Sequence, residues 1–191
     1  MSFAGSPFQI AKAARIVFEG GVIAYPTEGV WGLGCDPFNP LAVGRILAMK
    51  QRPEHKGLIL LASDLDQLGS ATRMLKKNEL DQLLSNPGYP ITWLIPDNGS
   101  VPTWITGGTA TLAVRITRHP LVASLCNRLG SAIVSTSANP GGRPAARNSL
   151  RVRQYFRDSI DYLLPGPLEQ GGGASEIRHL RSGKVIRLRG N

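Results

Sequence analysis

The sequence contains few cysteines, histidines and aromatic residues, and each shortage excludes a class of protein. Two cysteines and three histidines in 191 residues supply neither a disulfide framework nor a clustered metal site. Aromatic residues make up 6% of the chain and do not interleave with the basic ones, which argues against a surface built for base stacking. No apolar run reaches the roughly 20 residues of a membrane span.

The N-terminal segment also lacks the basic start and apolar core of a secretory signal. Its apolar side chains, including Ile10, Ala14 and Val17, recur at helical spacing instead. Cys35 and Cys126 are expected to remain reduced thiols. These features together predict a cytoplasmic protein that does not associate with a membrane.

Acidic residues are the remaining shortage: 13 Asp and Glu stand against 22 Lys and Arg, a net charge of +9. Ten basic residues but only four acidic ones follow residue 142. Such an excess indicates a polyanionic partner, such as RNA or nucleotide phosphates, or simply a basic surface. Composition alone leaves these interpretations open.

Apolar runs typical of strands alternate with amphipathic helical stretches along the chain, and this pattern predicts an α/β fold with a twisted, mixed, open sheet and flanking helices. We expect one domain over residues 1–191. Strands are predicted at 22–25, 58–62, 91–95, 112–116, 133–136, 161–164, 175–179 and 184–188. Helices are predicted at 6–19, from 39 onward, and at 64–70, 75–85, 120–129 and 147–157. Long loops are expected at 26–37, 97–110 and 165–174.

The strand at 133–136 ends in a run of small polar side chains. Ser135, Thr136 and Ser137 follow its apolar residues, and Asn139 lies two positions further on. Ligands of open α/β sheets gather where strands end in loops, so this loop and the one after 22–25 are the first places to look for a site. Taken alone, turn and cap roles explain these side chains best.

Basic residues cluster before the strand at 58–62. Lys50 can simply complement the end of the preceding helix, but Arg52 and Lys56 follow that helix on a short loop. Three cations beside a strand entry favour binding of an anion such as a triphosphate. The glycine-rich segment 26–37 matches neither a P-loop nor a dinucleotide fingerprint.

Arg115 stands inside the otherwise apolar strand at 112–116. A buried arginine is costly unless it has an anionic partner. The residue therefore either faces solvent or holds a carboxylate or phosphate in its planar fork.

Seven segments, taken together, resemble the YrdC-like family in order and spacing over essentially the whole chain. They are YPTEGVWGLG (25–34), K-x-R-P (50–53), PGYPIT (87–92), AVRIT-x-HP (113–120), STSAN (135–139), SEI (175–177) and the late arginine of VIRLRG (185–190). Each segment is weakly specific alone, but all seven in this order are highly specific.

The resemblance implies an enzyme that combines L-threonine, bicarbonate or CO2, and ATP into threonylcarbamoyl-adenylate and diphosphate. Partner proteins of the family then transfer the threonylcarbamoyl group to an adenosine at position 37, beside the anticodon of certain tRNAs. The resemblance also implies a sheet that surrounds a basic concave groove. Mg²⁺ would arrive with ATP, with water completing its shell.

Site residues follow from the matching motifs. The resemblance assigns L-threonine to Thr27, Arg115 and Ser175, with Arg115 on the carboxylate. It assigns the triphosphate to Lys50 and Arg52, and the nucleotide and reaction centre to Ser135, Ser137 and Asn139. Arg143 and Arg187 complete the nucleotide side, although Arg189 also fits the last motif. Positioning and electrostatics suffice for such a transfer, without a covalent nucleophile.

A non-catalytic module that binds double-stranded RNA or tRNA is the alternative. Arg143, Arg147 and Arg151 recur every fourth residue, as do Arg153 and Arg157, which predicts basic stripes along one helix. Such a surface can hold RNA through phosphates alone, or it can be an ordinary solvated helix face. RNA contact and catalysis are compatible.

Overall fold

The computed structural model describes residues 6–85, 87–169 and 173–190. Nine strands lie in these ranges: β1 (Ile23–Pro26), β2 (Trp31–Gly34), β3 (Ile59–Ala62), β4 (Ile91–Pro96), β5 (Thr111–Ile116), β6 (Ile133–Ser137), β7 (Tyr162–Leu163), β8 (Glu176–His179) and β9 (Val185–Arg187). They form one sheet in the order β7-β1-β2-β6-β3-β5-β4-β8-β9. Neighbours are antiparallel except for the parallel pairs β1–β7, β3–β5 and β4–β8. The predicted mixed α/β sheet is confirmed.

The helices in the same ranges are short. They are α1 (Pro7–Phe18), α2 (Pro40–Lys50), α3 (Lys77–Leu84), α4 (Thr103–Thr106), α5 (Pro120–Leu129) and α6 (Ser149–Phe156). Turns of 3-10 helix lie at Glu54–Lys56, Asp66–Thr72 and Arg157–Ser159. None of these described helices has the length and hydropathy that a membrane span requires.

Local sequence explains where the helices begin and end. The Asn39 side chain accepts a hydrogen bond from the Ala42 amide at 3.0 Å and caps α2, because the first amides of a helix have no partner within it. Ser6 precedes α1 without such a side-chain bond. α5 ends at Gly130, whose left-handed backbone (φ 67°) is the usual helix stop.

Three expectations about the loops and helices were wrong. β2 lies in the predicted loop 26–37, and α4 lies in the predicted loop 97–110. β2 has only four residues, two of them glycines, so it gives no alternating pattern, yet Gly34 is required there. A Cβ on Gly34 would lie 2.5 Å from the Val134 carbonyl oxygen of β6. The predicted helix at 64–70 is a 3-10 segment, kinked at Gly69. Residues 170–172 of the expected loop 165–174 lie outside the described residues.

The two faces of the sheet are covered to different extents. On one face, Val43 and Ile46 of α2 share a buried apolar cluster with alternate side chains of the central strands, such as Leu60, Val114 and Val134. On the other face, α1 and α5 pack against Leu61 and Ile133 and the first half of β1. The remainder of this second face forms the floor of a groove, with α4 at its edge.

Candidate active site

The groove has a volume of about 320 Å³ and is lined by side chains from most strands of the sheet. Side chains alternate between the faces of a strand, so Ser135 and Ser137 lie on the same face as Ile133. Ile133 is buried beneath the helices, whereas the two serines line the groove. The apolar start of β6 therefore anchors the strand, and its end delivers hydroxyls to the groove.

β1 repeats this arrangement. Ile23 and Tyr25 lie in the helix-covered cluster, and Thr27, next in the alternation, lines the groove. The Thr27 hydroxyl donates to the Val30 carbonyl at 2.7 Å and closes the turn between β1 and β2. A Cβ on Gly32 would lie 3.5 Å from Thr27 and 3.6 Å from the Ser135 hydroxyl. Glycine at this position thus keeps the space between these two side chains open.

Four basic side chains line the groove: Arg52, Lys56, Arg115 and Arg187. Arg52 donates through Nε and Nη2 to the Gly57 carbonyl at 3.1 and 2.9 Å and through Nη2 to the Lys56 carbonyl at 3.0 Å. Arg187 donates to the Ser175 carbonyl at 2.7 Å. Desolvation, followed by repulsion from Arg52 and Arg115, lowers the pKa of Arg187. Burial is the larger cause, and the added repulsion shows that Arg52 and Arg115 lie near Arg187.

Arg115 is buried, and its partner is Glu28, which follows β1. Arg115 Nη2 lies 3.4 Å from Glu28 Oε2. The other carboxylate oxygen accepts hydrogen bonds from Thr117 Oγ1 at 2.6 Å and the Arg118 amide at 3.1 Å. Arg115 Nε and Glu28 Oε2 have no hydrogen-bond partner in the described part of the chain. Arg115 therefore has a balanced charge and a buried donor to offer to a ligand.

Lys50 lies outside the groove lining. Its ammonium donates to the carbonyl of Ser137 and, at 2.8 Å, to that of Asn139, while the Gly141 amide donates back to the Lys50 carbonyl at 2.7 Å. Burial, and then the nearby Arg52 guanidinium, lower the pKa of Lys50 to about 8. In this structure Lys50 ties the end of α2 to the loop that follows the strand-end hydroxyls.

Asn139 and Arg143 also lie beside the groove lining rather than in it. Asn139 Nδ2 donates to the Arg143 carbonyl at 2.7 Å and to the Pro140 carbonyl at 3.0 Å. The Arg143 side chain is exposed. The hydrogen bonds of Asn139 close the loop after β6 and leave its buried Oδ1 without a partner among the described residues.

Ser175 lies in the groove wall, on the side of β8 and β9. Its buried hydroxyl shares a hydrogen bond of 2.8 Å with Thr92 Oγ1 of β4. Arg187 lines the same wall, whereas the Arg189 guanidinium lies 5.8 Å from the Tyr89 ring centroid and lines a second groove of about 250 Å³. Of the two late arginines, the structure therefore places Arg187 in the main groove.

The sequence patterns did not single out Glu28, the partner of Arg115. A signal was present, because a buried arginine in an apolar strand requires an anion, and Glu28 follows another buried strand. Lys56, which the patterns grouped with Lys50 and Arg52 as a candidate for binding an anion, lines the groove beside Arg52. Among the described residues, no three His, Cys, Asp or Glu side chains are placed to hold a metal ion together.

The arginines of the alternative interpretation lie on a solvated surface. Arg147, Arg151, Arg153 and Arg157 are exposed on and around α6. Arg151 lies 5.7 Å from the Tyr155 ring centroid. α6 buries Val152 and Phe156 on its opposite face, so the arginine stripe is free to meet solvent or a partner.

A mixed sheet whose open half-face forms a basic groove, lined by strand-end hydroxyls, defines a protein that binds small anionic ligands. The Sua5/YciO/YrdC family model, described as telomere recombination, matches residues 15–190. This chain belongs to that family, and the resemblance inferred from its motifs is confirmed.

Curated relatives match over nearly their full length. The threonylcarbamoyl-AMP synthase of Pseudomonas aeruginosa is 52% identical over 182 residues, which cover 95% of this chain and 98% of the relative. The threonylcarbamoyl-AMP synthase of Nitrosococcus oceani is 51% identical over 181 residues, covering 94% and 97%.

Solved structures show the same fold. P. abyssi Sua5 complexed with L-threonine is 29% identical with a TM-score of 0.87, over 97% of this chain and 55% of that chain. E. coli YciO is 26% identical with a TM-score of 0.81, over 97% and 92%.

Proposed function

We propose that this protein synthesises threonylcarbamoyl-AMP from L-threonine, bicarbonate or CO2, and ATP, with release of diphosphate. The observation that carries the proposal is one groove that combines a buried arginine, three further cations and the strand-end hydroxyls. Relatives about half identical to this chain, and named for this product, support it. The L-threonine complex of a structural neighbour supports threonine as the amino acid.

The reaction brings several negative groups together. The threonine amine attacks CO2 and loses a proton, which gives a carbamate. A carbamate oxygen then attacks the α-phosphorus of ATP, and the bond to the β-phosphate oxygen breaks to release diphosphate. Catalysis of this kind depends on positioning and on fixed charges that match the developing charge, which the groove residues can supply.

The roles divide along β3 and β5. Arg115 pairs in register with Leu61, deep in the sheet, whereas Arg52 and Lys56 precede β3 at its opposite end. We assign the threonine carboxylate to Arg115, flanked by Thr27 and Ser175, and the triphosphate to Arg52 with Arg187. Ser135 and Ser137 lie between and orient the reacting groups as neutral donors. Lys50 and Asn139 hold the loop behind these hydroxyls, and the predicted direct contacts of Lys50, Asn139 and Arg143 with the nucleotide stay predictions.

Mg²⁺ enters as part of the ATP complex. The groove lining contains hydroxyls and basic side chains but no carboxylate among the described residues. Hydroxyls and water suit an ion that keeps most of its water and binds mainly to phosphates. The metal would thus be held mainly by the triphosphate, and the hydroxyls of Ser135 and Ser137 are among the groove oxygens that could accept hydrogen bonds from its water.

The adenylate product must be used by a further protein. Mixed anhydrides are reactive, so we propose that the adenylate passes in the cytoplasm to tRNA-modification proteins that place its threonylcarbamoyl group on adenosine 37 of tRNA. The exposed arginines around α6 favour a direct contact between this chain and tRNA phosphates. Such a contact predicts binding that weakens steeply with salt.

One assay tests the proposed activity. The purified chain, ATP and Mg²⁺ are incubated with bicarbonate and L-threonine, and diphosphate release is measured alongside the nucleotide product. We expect release only when threonine and bicarbonate are both present, together with an adenylate of the expected mass. Release without threonine would indicate a plain ATPase, and no release with tight RNA binding would favour the non-catalytic module.

A further inference from the structure

The cations of the groove are not equivalent. Arg52 and Arg187 donate to backbone carbonyls, and neither they nor Lys56 form an ion pair within the described residues. Arg115 alone among the four has a carboxylate partner in these ranges, with side chains only 9% exposed for Arg115 and 10% for Glu28. The groove thus presents three uncompensated charges and one that is compensated.

Glu28 is held in place independently of any ligand. Its Oε1 accepts from both the Thr117 hydroxyl and the Arg118 amide, two groups directly after β5, the strand that carries Arg115. Burial raises the pKa of Glu28, but Arg115 and these hydrogen bonds outweigh burial and leave the pKa below its ordinary value. The carboxylate is therefore ionised at neutral pH.

The position of Glu28 determines what it does to a ligand. Glu28 lines the second groove and not the main one, so it lies behind Arg115 as seen from the main groove. A ligand there meets the guanidinium first and feels the carboxylate at longer range. Repulsion from Glu28 grows with the net negative charge of the ligand, so it is small for a zwitterion and large for a phosphate.

We infer that Glu28 is a specificity-determining residue, which makes the Arg115 subsite accept a zwitterionic amino acid and reject the phosphate groups of the other substrate. This inference rests on the proposed function, since it assumes that Arg115 holds the threonine carboxylate. The groove needs such a device because Arg52 and Arg115 line it together with Arg187, and both lie close enough to Arg187 to repel its charge. A polyanion that bridged all three would occupy the amino-acid subsite and block the reaction.

The test is competition between L-threonine and inorganic phosphate on the full chain without nucleotide. Glu28→Gln keeps the size of the side chain and an oxygen for Thr117 but removes its charge. Glu169→Gln is the matched control, because Glu169 is another carboxylate of the second groove with no ion pair to Arg115. In the wild type and in the control, phosphate should leave threonine affinity unchanged. In Glu28→Gln, phosphate should displace threonine, with an apparent Ki at least about tenfold below the highest phosphate concentration that leaves the wild type unaffected.

Two results would overturn the inference: phosphate that competes with threonine equally in all three proteins, or phosphate that competes in none. Thermal unfolding checks that the variants are folded. If Glu28→Gln does not fold, the wild type decides, because displacement of threonine from it by phosphate contradicts the inference. Threonine binding without threonine-dependent diphosphate release would end the proposed function and leave the charge selection intact.

Discussion

The two halves of one sheet face share strands but differ in burial and polarity: one is apolar and covered by helices, and the other is open and lines the groove. Beneath α1 and α5, β1, β3 and β6 contribute Ile23, Leu61 and Ile133 to a sealed apolar cluster. A few residues along the same strands and on the same face, Thr27, Ile59 and Ser135 line an open groove. The division between stability and function in this molecule therefore runs across the strands rather than between them.

This comparison teaches how a small domain carries a polar site without weakening its core. β1, β3 and β6 are each fixed at one end by burial of apolar side chains, and such burial is the dominant stabilising contribution to folding. The buried end holds the rest of the strand in place, so the side chains at the groove end project from a rigid backbone. Hydroxyls that are held in this way act as preoriented dipoles, which is what electrostatic catalysis requires.

The largest predicted effect lies in the covered half. Leu125 of α5 is fully buried in the cluster with Leu61 and Ile133. Leu125→Ala should lower the free energy of unfolding by about 2–5 kcal/mol, because it removes buried methyl groups and leaves a cavity. Urea unfolding measures the loss. The KM values for threonine and ATP should stay unchanged below the melting temperature, and a change in either would show that the two halves are coupled.

Lys50 tests the loop that supports the open half. Its pKa is about 8 in the folded chain against an ordinary value of 10.5. Between these values the unfolded chain binds more protons, so the free energy of unfolding should rise with pH across this window, by on the order of 2–3 kcal/mol from this group. Urea unfolding of the wild type and of Lys50→Met at several pH values measures the contribution.

Subtracting the pH profile of Lys50→Met from that of the wild type leaves the contribution of Lys50 to the free energy of unfolding, because the other groups that titrate in this range are present in both proteins. Lys50→Met should lack the rise. Parallel pH profiles for the two proteins would mean that burial beside Arg52 does not lower the pKa of Lys50 in the folded chain. Slower turnover with an unchanged KM for ATP would further support a role in holding the loop, whereas a raised KM alone would support the predicted triphosphate contact.

Much of this architecture could be predicted from local pattern. The apolar residues that begin the segment at 133–136 and the hydroxyls that end it predicted both the buried end and the groove end of β6. Asn39-Pro40 predicted the start of α2. β2 could not be predicted, because it is short and because its Gly34 is required by the close approach of β6, which is distant in sequence. Local propensity does not encode such contacts.

The site was predictable in its residue types but less so in their roles. The motifs pointed to Arg52, Arg115 and Ser137, and the structure places all three in one groove. The same motif suggested similar roles for Lys50 and Arg52, yet Lys50 turns toward carbonyls of the loop after β6. Lys50 is the last residue of α2 and Arg52 follows two residues later, so their side chains leave the backbone in different directions. The carbonyls that Lys50 reaches belong to the end of β6 and the loop after it, which are distant in sequence.

Arg115 lies at the boundary, so its removal should affect both halves. Arg115→Ala should raise the apparent KM for threonine by roughly 10- to 150-fold, which corresponds to about 1.5–3 kcal/mol for the loss of a charge-assisted hydrogen bond. The KM for ATP should change much less. Stability should fall as well, because Glu28 is left buried without its cation. Steady-state kinetics with each substrate varied in turn measures the first effect. Arg118→Ala, which removes an exposed arginine three residues further on and just after β5, is the control, and an unchanged KM for threonine in Arg115→Ala would contradict the assignment.

Arg52 should give the smallest effect and the cleanest separation of the two halves. Within the described residues its guanidinium donates hydrogen bonds to the Lys56 and Gly57 carbonyls, just before β3 begins. Arg52→Ala should therefore raise the KM for ATP by roughly tenfold, which corresponds to about 1.5 kcal/mol. The KM for threonine and the unfolding midpoint should stay close to those of the wild type. Arg128→Ala removes an exposed charge from α5 and should change none of the three. A loss of stability in Arg52→Ala as large as that in Leu125→Ala would mean that the groove entrance is part of the core, and the boundary drawn across the strands would have to move.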